Sequence, residues 1–469
     1  MSGAVPAIAP ATLAIYARSQ ELIEFLHGLS ADSVPERVME MARHCLLDTL
    51  GCALFGSGQP WSRILRDEMA AEEARGVATV FGTKQKLAAP AAALCNGTAI
   101  HGFELDDLVD EPIVHPGCVI IPAVLATAES IGASGERLVL GIIAGYEAMA
   151  RLGMALGLDV AHRGFHKTTL TGPVAGAIAC GIVRGLTVAQ LQIAAGLGVS
   201  VACGIKSYAA GTGGGMMKRM HAGRAAESAV RMAQLASRDF SAPPSAIDGR
   251  FGLLEVFGGP DRDAGALVRN LGKSWATDGI YIKVYPCCSW IQSSVQQLVA
   301  LRGEKPLAAA QVRKVRIGVS AYAARNNGAV APPDTMGAQY SFPYCAAVAL
   351  TADPQDPEMY RNANLDDAAR RALATRVELY ADPEMEAAHP KHYGARVEVE
   401  LADGRKLQSA LLDPHGMPAD PCTPPEREAK FRRLAKNVIS DEAADKVLAA
   451  VRGAANLKNT GELATLLQS

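Results

Sequence analysis

Residues 101–122 of this 469-residue chain read H-G-F-E-L-D-D-L-V-D-E-P-I-V-H-P-G-C-V-I-I-P. Asp106, Asp107, Asp110 and Glu111 crowd four carboxylates into six positions, and His115-Pro116-Gly117 follows at once. Charge packed that densely between apolar runs is costly unless it pairs with or binds something, so this stretch is a candidate site. Three further clusters carry chemistry. Gly164-Phe165-His166 holds an imidazole, which can move a proton near neutral pH. The run Gly211-Thr212-Gly213-Gly214-Gly215 leads into Lys218-Arg219-Met220-His221. Backbone amides, a helix N-terminus and three basic side chains together suit an anion. Lys283-Val284-Tyr285-Pro286-Cys287-Cys288 sets a lysine in an apolar run, beside a vicinal thiol pair that packs or offers one thiol to a pocket.

Each cluster has a competing reading. Asp106-Asp107-Leu108-Val109-Asp110 matches D-D-x-x-D, the pattern with which isoprenoid synthases hold Mg²⁺ and pyrophosphate on a helical fold. No second acidic cluster of that kind follows, and aromatics are only 5% of the chain. A solvated acidic loop ended by Pro112 is the plainer alternative. His162 and His166 stand four apart, as metal ligands on a helix do. Gly164 weakens that helix, and neither a glutamate nor a third ligand accompanies them. A hydrogen-bonded core histidine is the bland reading of His166. Lys218 is not followed by Ser or Thr and no strand pattern precedes the glycines, so a Walker loop is a poor fit.

The elements that must position these residues change character along the chain. From about 12 to 270 the period is helical, with Ala, Gly and Cys on every side of segments 136–157, 168–185 and 222–238. Helices apolar all round belong in the middle of a large bundle. Ser33-Val34-Pro35-Glu36 reads as a capping box before a helix to about Leu50, with Val38, Met41, Ala42, Cys45 and Leu46 on one stripe. Thr187-Val188-Ala189-Gln190 repeats the device. Beyond 280, Lys314–Ser320 and Arg396–Leu401 alternate with period two, as half-buried strands do. Asp403-Gly404 turns the second into a return strand from Lys406, and helical segments lie near 288–302 and 341–352. A proline-rich linker spans 414–425, and Thr423-Pro424-Pro425-Glu426 caps the last helices.

The expected fold class is therefore mainly α with a smaller α+β domain. The boundaries are 1–278 for a helical domain, 279–420 for an α+β lid, and 421–469 for C-terminal helices that rejoin the first. Charged residues make up 20% and the net charge is −2, which sets up no field for nucleic acid or an anionic membrane. The longest apolar runs are interrupted by Gly, polar or charged residues, against a membrane span. Ten scattered cysteines without a C-x-x-C pair read as buried free thiols. With no signal-peptide pattern at the N-terminus, the expected setting is cytoplasmic.

In order and spacing the four clusters resemble the MmgE/PrpD family, whose members include 2-methylcitrate dehydratase, cis-aconitate decarboxylase and iminodisuccinate epimerase. The resemblance rests on D-D-x(7)-H-P-G at 106–117, G-F-H at 164–166, K-R-M-H-A-G-R-A-A at 218–226 and K-V-Y-P-C-C at 283–288. It implies a large helical domain built from both chain ends, a smaller lid and a homodimer. The implied pocket lies between helical domain and lid and takes a small polycarboxylate, with no metal or other cofactor. His115, His166, Lys218 and Lys283 would be catalytic; Asp106, Asp107, His221, Arg219 and Cys288 would bind substrate. His115 and His166 would share the base and acid roles, and the lysines would neutralise carboxylates and a developing enolate. Dehydration of the 2-methylcitrate kind is the leading expectation, with epimerisation, decarboxylation or a catalytically lapsed binding protein as alternatives. Decarboxylating members carry a histidine where this chain has Cys288. Leu108 replaces a hydroxyl-bearing residue and Glu104 a common aspartate, and the loop to His115 is one residue longer. These departures leave the substrate open.

Overall fold

The computed structural model describes residues 10–72, 76–209, 214–389 and 391–469. The helical part is layered around helices that are buried on nearly every side. Gly117–Ile131 is buried from Gly117 through Ala128, and Gly135–Leu156 and Lys167–Arg184 are covered almost as fully. The Gly135–Leu156 helix is long and apolar enough to cross a membrane, but 94% of its apolar window is buried inside the protein. Small residues let these helices approach closely. A Cβ at Gly223 would lie 2.3 Å from the Leu94 carbonyl oxygen, and one at Gly97 would lie 2.9 Å from the Gly223 Cα. Only glycine permits that contact. It seats the Met217–Ala236 helix, which carries Lys218, against the Ala89–Ile100 helix that leads into His101.

Two sequence expectations about helix starts come out differently. Thr187 caps Val188–Val199 in a capping box with Gln190, and Thr423 does the same for Pro424–Ala435 with Glu426. Ser33 does not cap: the first helix of its region is Glu36–Ser57, with Pro35 at the cap and no side-chain bond. The Ser33 hydroxyl instead closes a local turn with Ser30, accepting from its N–H at 2.9 Å and donating to its carbonyl at 3.0 Å. Proline's fixed φ starts the helix without it. Packing on the core then carries that helix a turn and more past Leu50.

The α+β part is a four-stranded sheet in the order Val377–Ala381, Val312–Val319, Ala395–Leu401, Lys406–Leu411. The first pair is parallel and the other two are antiparallel. Strand Ala395–Leu401 alternates buried and half-buried residues along its whole length. Helices Ser289–Arg302 and Phe342–Thr351 pack on the inner face, while ion pairs such as Lys314–Glu378 and Arg316–Glu398 lie on the other. Strand Val377–Ala381 had no distinct alternating signal, and its partner is distant in sequence.

Two connections place the site. Leu108–Val109 pairs antiparallel with Ile280–Tyr281, which ties the acidic segment to the chain just before Lys283. The C-terminal helix Pro424–Ala435 packs on Glu36–Ser57. There Lys430 meets Asp48 at 2.6 Å and donates to the Leu105 carbonyl at 2.8 Å, fixing the acidic segment from below.

Candidate active site

The chain turns sharply after His101-Gly102-Phe103, and Glu104 sits in the left-handed region at φ 56°. A glutamate held there is unusual and reflects constraint from its surroundings. Its carboxylate is shared by two buried ammonium groups: Lys218 pairs with one oxygen and Lys283 with the other at 3.0 Å. All three side chains are 1–2% exposed. Burial alone would raise the Glu104 pKa, but the two lysines hold it far below the usual carboxylate range. The same attraction overcomes the cost of burial and raises both Lys218 and Lys283 above their ordinary value. Tyr340 lies 3.0 Å from the Lys218 ammonium, which donates to its hydroxyl. Its neighbour Gln339 donates to the Phe103 carbonyl at 2.8 Å and the Pro286 carbonyl at 3.0 Å, and its own carbonyl accepts from the Cys288 N–H at 2.9 Å. One buried side chain thus locks the Glu104, Lys283 and Cys288 segments together.

The carboxylates of the D-D-x-x-D stretch diverge. Asp106, fully buried, accepts from His101 Nδ1 at 2.7 Å and from His115 Nδ1 at 3.1 Å through the same oxygen. Burial opposes ionisation, yet the two imidazoles hold Asp106 well below the usual range. Asp107 faces away, accepting from the Gly117 N–H at 2.9 Å and the Tyr146 hydroxyl at 2.6 Å. Burial pushes it up to about 7. Asp110 is pushed up to about 8 by burial and by Asp413. No pair of these three shares a ligand position. His101, Asp106 and His115 are the one group among the described residues whose ligand atoms lie within 4.8 Å of one another. Their separations are those of N–H···O bonds.

This arrangement assigns a tautomer to His115. Its Nδ1 lies 3.1 Å from Asp106 Oδ2 and 3.1 Å from the Asp107 carbonyl oxygen. Both neighbours only accept, so the proton is on Nδ1 and Nε2 keeps its lone pair. Burial, aided by Lys283 and Lys218, lowers the His115 pKa despite Asp106, so the ring is a neutral base at neutral pH. His166 caps the Lys167–Arg184 helix from outside. Its Nδ1 lies 3.1 Å from His221 Nδ1, so one ring donates and the other accepts. Burial lowers His166 far below its ordinary value, with His101 and Lys218 adding to it. Burial and Lys218 bring His221 down to about 4.

His115, His166, Lys218, Lys283, Glu104 and Cys288 all line one cavity of ≈ 210 Å³ between the helical layer and the α+β part. Its wall carries four lysines, Lys167, Lys206, Lys218 and Lys283, against one glutamate, Glu104, which favours an anionic guest. Burial pushes the Cys288 thiol up to about 11, with Glu104 contributing, so it faces the cavity as a neutral weak donor. Arg219 is turned out of this wall: it stacks 4.0 Å over Trp61 and donates to the Gly102 and Gly215 carbonyls. It braces the glycine-rich entry to its helix, of which Gly211–Gly213 lie outside the described residues. Asp107 likewise supports the wall from behind. His162 is exposed and pairs with the Tyr322 ring 5.6 Å away, apart from His166. His101, Tyr146, Tyr208 and Tyr340 join the site without having been marked in the sequence, where single aromatic and histidine residues carry no spacing signal.

All ten cysteines are free. The MmgE/PrpD N-terminal domain matches residues 20–264 and the MmgE/PrpD C-terminal domain residues 285–454. Cis-aconitate decarboxylase of Aspergillus terreus is 28% identical over 96% of this chain and 95% of its own length. A cis-aconitate decarboxylase-like protein of Aspergillus oryzae is 27% identical, over 95% and 96% respectively. Human cis-aconitate decarboxylase is 24% identical over 94% of this chain and 93% of its own length. Two family domains that together span most of the chain, with relatives aligned nearly end to end, make it a member of the MmgE/PrpD family.

Proposed function

We propose that this protein is a lyase that removes a proton alpha to a carboxylate of a small di- or tricarboxylic acid and then expels water, a dehydration of the 2-methylcitrate kind. The observation that carries it is His115, a neutral imidazole with Nδ1 fixed on Asp106 and the Asp107 carbonyl, on the wall of a cavity whose buried cations are Lys218 and Lys283. A substrate carboxylate placed on the two ammonium groups acidifies its alpha C–H. His115 Nε2 takes that proton, and the lysines stabilise the negative charge that develops on the carboxylate oxygens. The bond to the β-hydroxyl then breaks as the alkene forms, and the oxygen leaves as water once protonated. His166 is placed to supply that proton, because the substrate's negative charge raises its pKa and His221 can hold its Nδ1.

Decarboxylation is the second reading, favoured by the names of the relatives. The thiol of Cys288 weighs against it, since a neutral thiol is a poorer donor to the carbanion that CO₂ loss leaves behind. Incubation with 2-methylcitrate, citrate and cis-aconitate separates the readings. Dehydration gives alkene absorbance from the hydroxylated acids without gas, and this is the expected result. Release of CO₂ from cis-aconitate supports the second reading. Deuterium entering an otherwise unchanged skeleton in D₂O would instead mark an epimerase.

A further inference from the structure

We infer that the substrate carries an alkyl or aryl substituent beyond its carboxylates, seated in an apolar vestibule above the lysine floor. The inference rests on the proposed lyase reading and narrows its substrate class. The floor is deep: Lys218 and Lys283 are each 1% exposed. Toward solvent the wall changes chemistry. Ile113, Phe165, Trp290 and Tyr322 line the same cavity and all four are half-buried. The Trp290 and Tyr322 rings meet edge-on with centroids 4.8 Å apart, and Tyr322 reaches across to His162, which is exposed and marks the mouth. Trp290 and Tyr322 come from the α+β part, Ile113 and Phe165 from the helical part, so the vestibule is built from both walls.

Ile113 gives independent support. It sits at φ 53°, a conformation that a β-branched residue adopts only under constraint. The backbone bridge between Val109 and Val114 imposes the tight turn that holds it there. The result is an aliphatic group presented to the cavity, two residues from the proposed base. A third carboxylate at that level would meet aromatic and aliphatic surface, where it loses hydration without gaining a partner. Lys206, also at the mouth, has its ammonium 3.5 Å from the Ala161 carbonyl. An apolar substituent gains by the same contacts. The cavity of ≈ 210 Å³ exceeds the apolar cavity of about 150 Å³ that admits benzene.

Calorimetric titration of the full-length protein with succinate and 2-methyl-, 2-ethyl-, 2-butyl- and 2-benzylsuccinate tests this. These acids lack a hydroxyl to expel, so the binding series is read whether or not the enzyme dehydrates anything. The expected result is affinity rising about fourfold per added methylene until the chain reaches the mouth. Trp290→Ala and, as a smaller change, Ile113→Ala should each flatten the series. A flat or falling series in the wild-type protein would overturn the inference, as would tighter binding of tricarballylate than of 2-butylsuccinate. If the series rises but no hydroxylated homologue is dehydrated, the vestibule stands and the lyase reading fails.

Discussion

Replacing Glu104 by Gln strands two buried ammonium groups on a neutral amide of the same shape. At the 3.0 Å separation of Lys283 and Glu104, Coulomb's law with an effective dielectric of about 20 gives about 5.5 kcal/mol for that pair. Desolvation offsets part of this, and removing one partner of a buried pair costs about 3–5 kcal/mol in practice. Glu104→Gln should therefore lower stability by about 3–5 kcal/mol near neutral pH, read from urea unfolding followed by tryptophan fluorescence. Adding Lys218→Met to it should restore at least about 1 kcal/mol, because one stranded charge is gone and the two losses do not add. The pH dependence has a definite sign. The folded pKa of Glu104 is depressed, so its contribution is complete above the unfolded value of about 4.3. It is lost as pH falls through the lower folded value, and the gap between wild type and Glu104→Gln should close on acidification. A Glu104→Gln protein within about 0.5 kcal/mol of wild type, or strictly additive losses in the double variant, would refute the shared-carboxylate account.

Gly223→Ala should abolish most activity while the protein stays folded, since a Cβ 2.3 Å from the Leu94 carbonyl must push the Lys218 helix off its neighbour; circular dichroism with a turnover assay checks both halves. The acidic limb of kcat/KM should lie below the ordinary histidine value of about 6.5, because burial lowers His115 and the neutral ring persists to lower pH. A limb above that value would mean a base other than His115. Tyr146→Phe removes the 2.6 Å bond to Asp107 and should cost about 1–2 kcal/mol. It should leave KM nearly unchanged, because neither group lines the cavity.

Much of this architecture was legible in the residue pattern, and the reasons for success and failure are physical. Ala-, Gly- and Cys-rich helices announced a buried bundle because no face was left for water. Thr187 and Thr423 were readable as caps because their three-residue spacing to Gln190 and Glu426 is itself the geometry of the bonds. Ser33 had the same spacing to Glu36, but the hydroxyl found a closer partner in Ser30, and sequence alone does not rank such local rivals. The site clusters were visible as improbable charge in apolar surroundings. Their internal division was not. Asp106 and Asp107 are adjacent, yet one turns to the histidines and the other to Tyr146, because the chain is pinned by Leu108–Val109 against Ile280–Tyr281, far away in sequence. Glu104 read as one more acid, and only the approach of Lys218 and Lys283 from two distant segments makes it the hub. Arg219 looked like a third cation for the anion, but the Trp61 ring claims it.

The central claim is that His115 Nε2 takes the alpha proton, and loss of that proton is directly measurable. NMR of 2-methylcitrate in D₂O should show the alpha position lost to alkene with wild-type protein. With His115→Gln the loss should be slower by about 10²–10⁴-fold, with ligand affinity within a few fold of wild type. Loss of the proton at the wild-type rate in the His115→Gln protein would contradict the account outright.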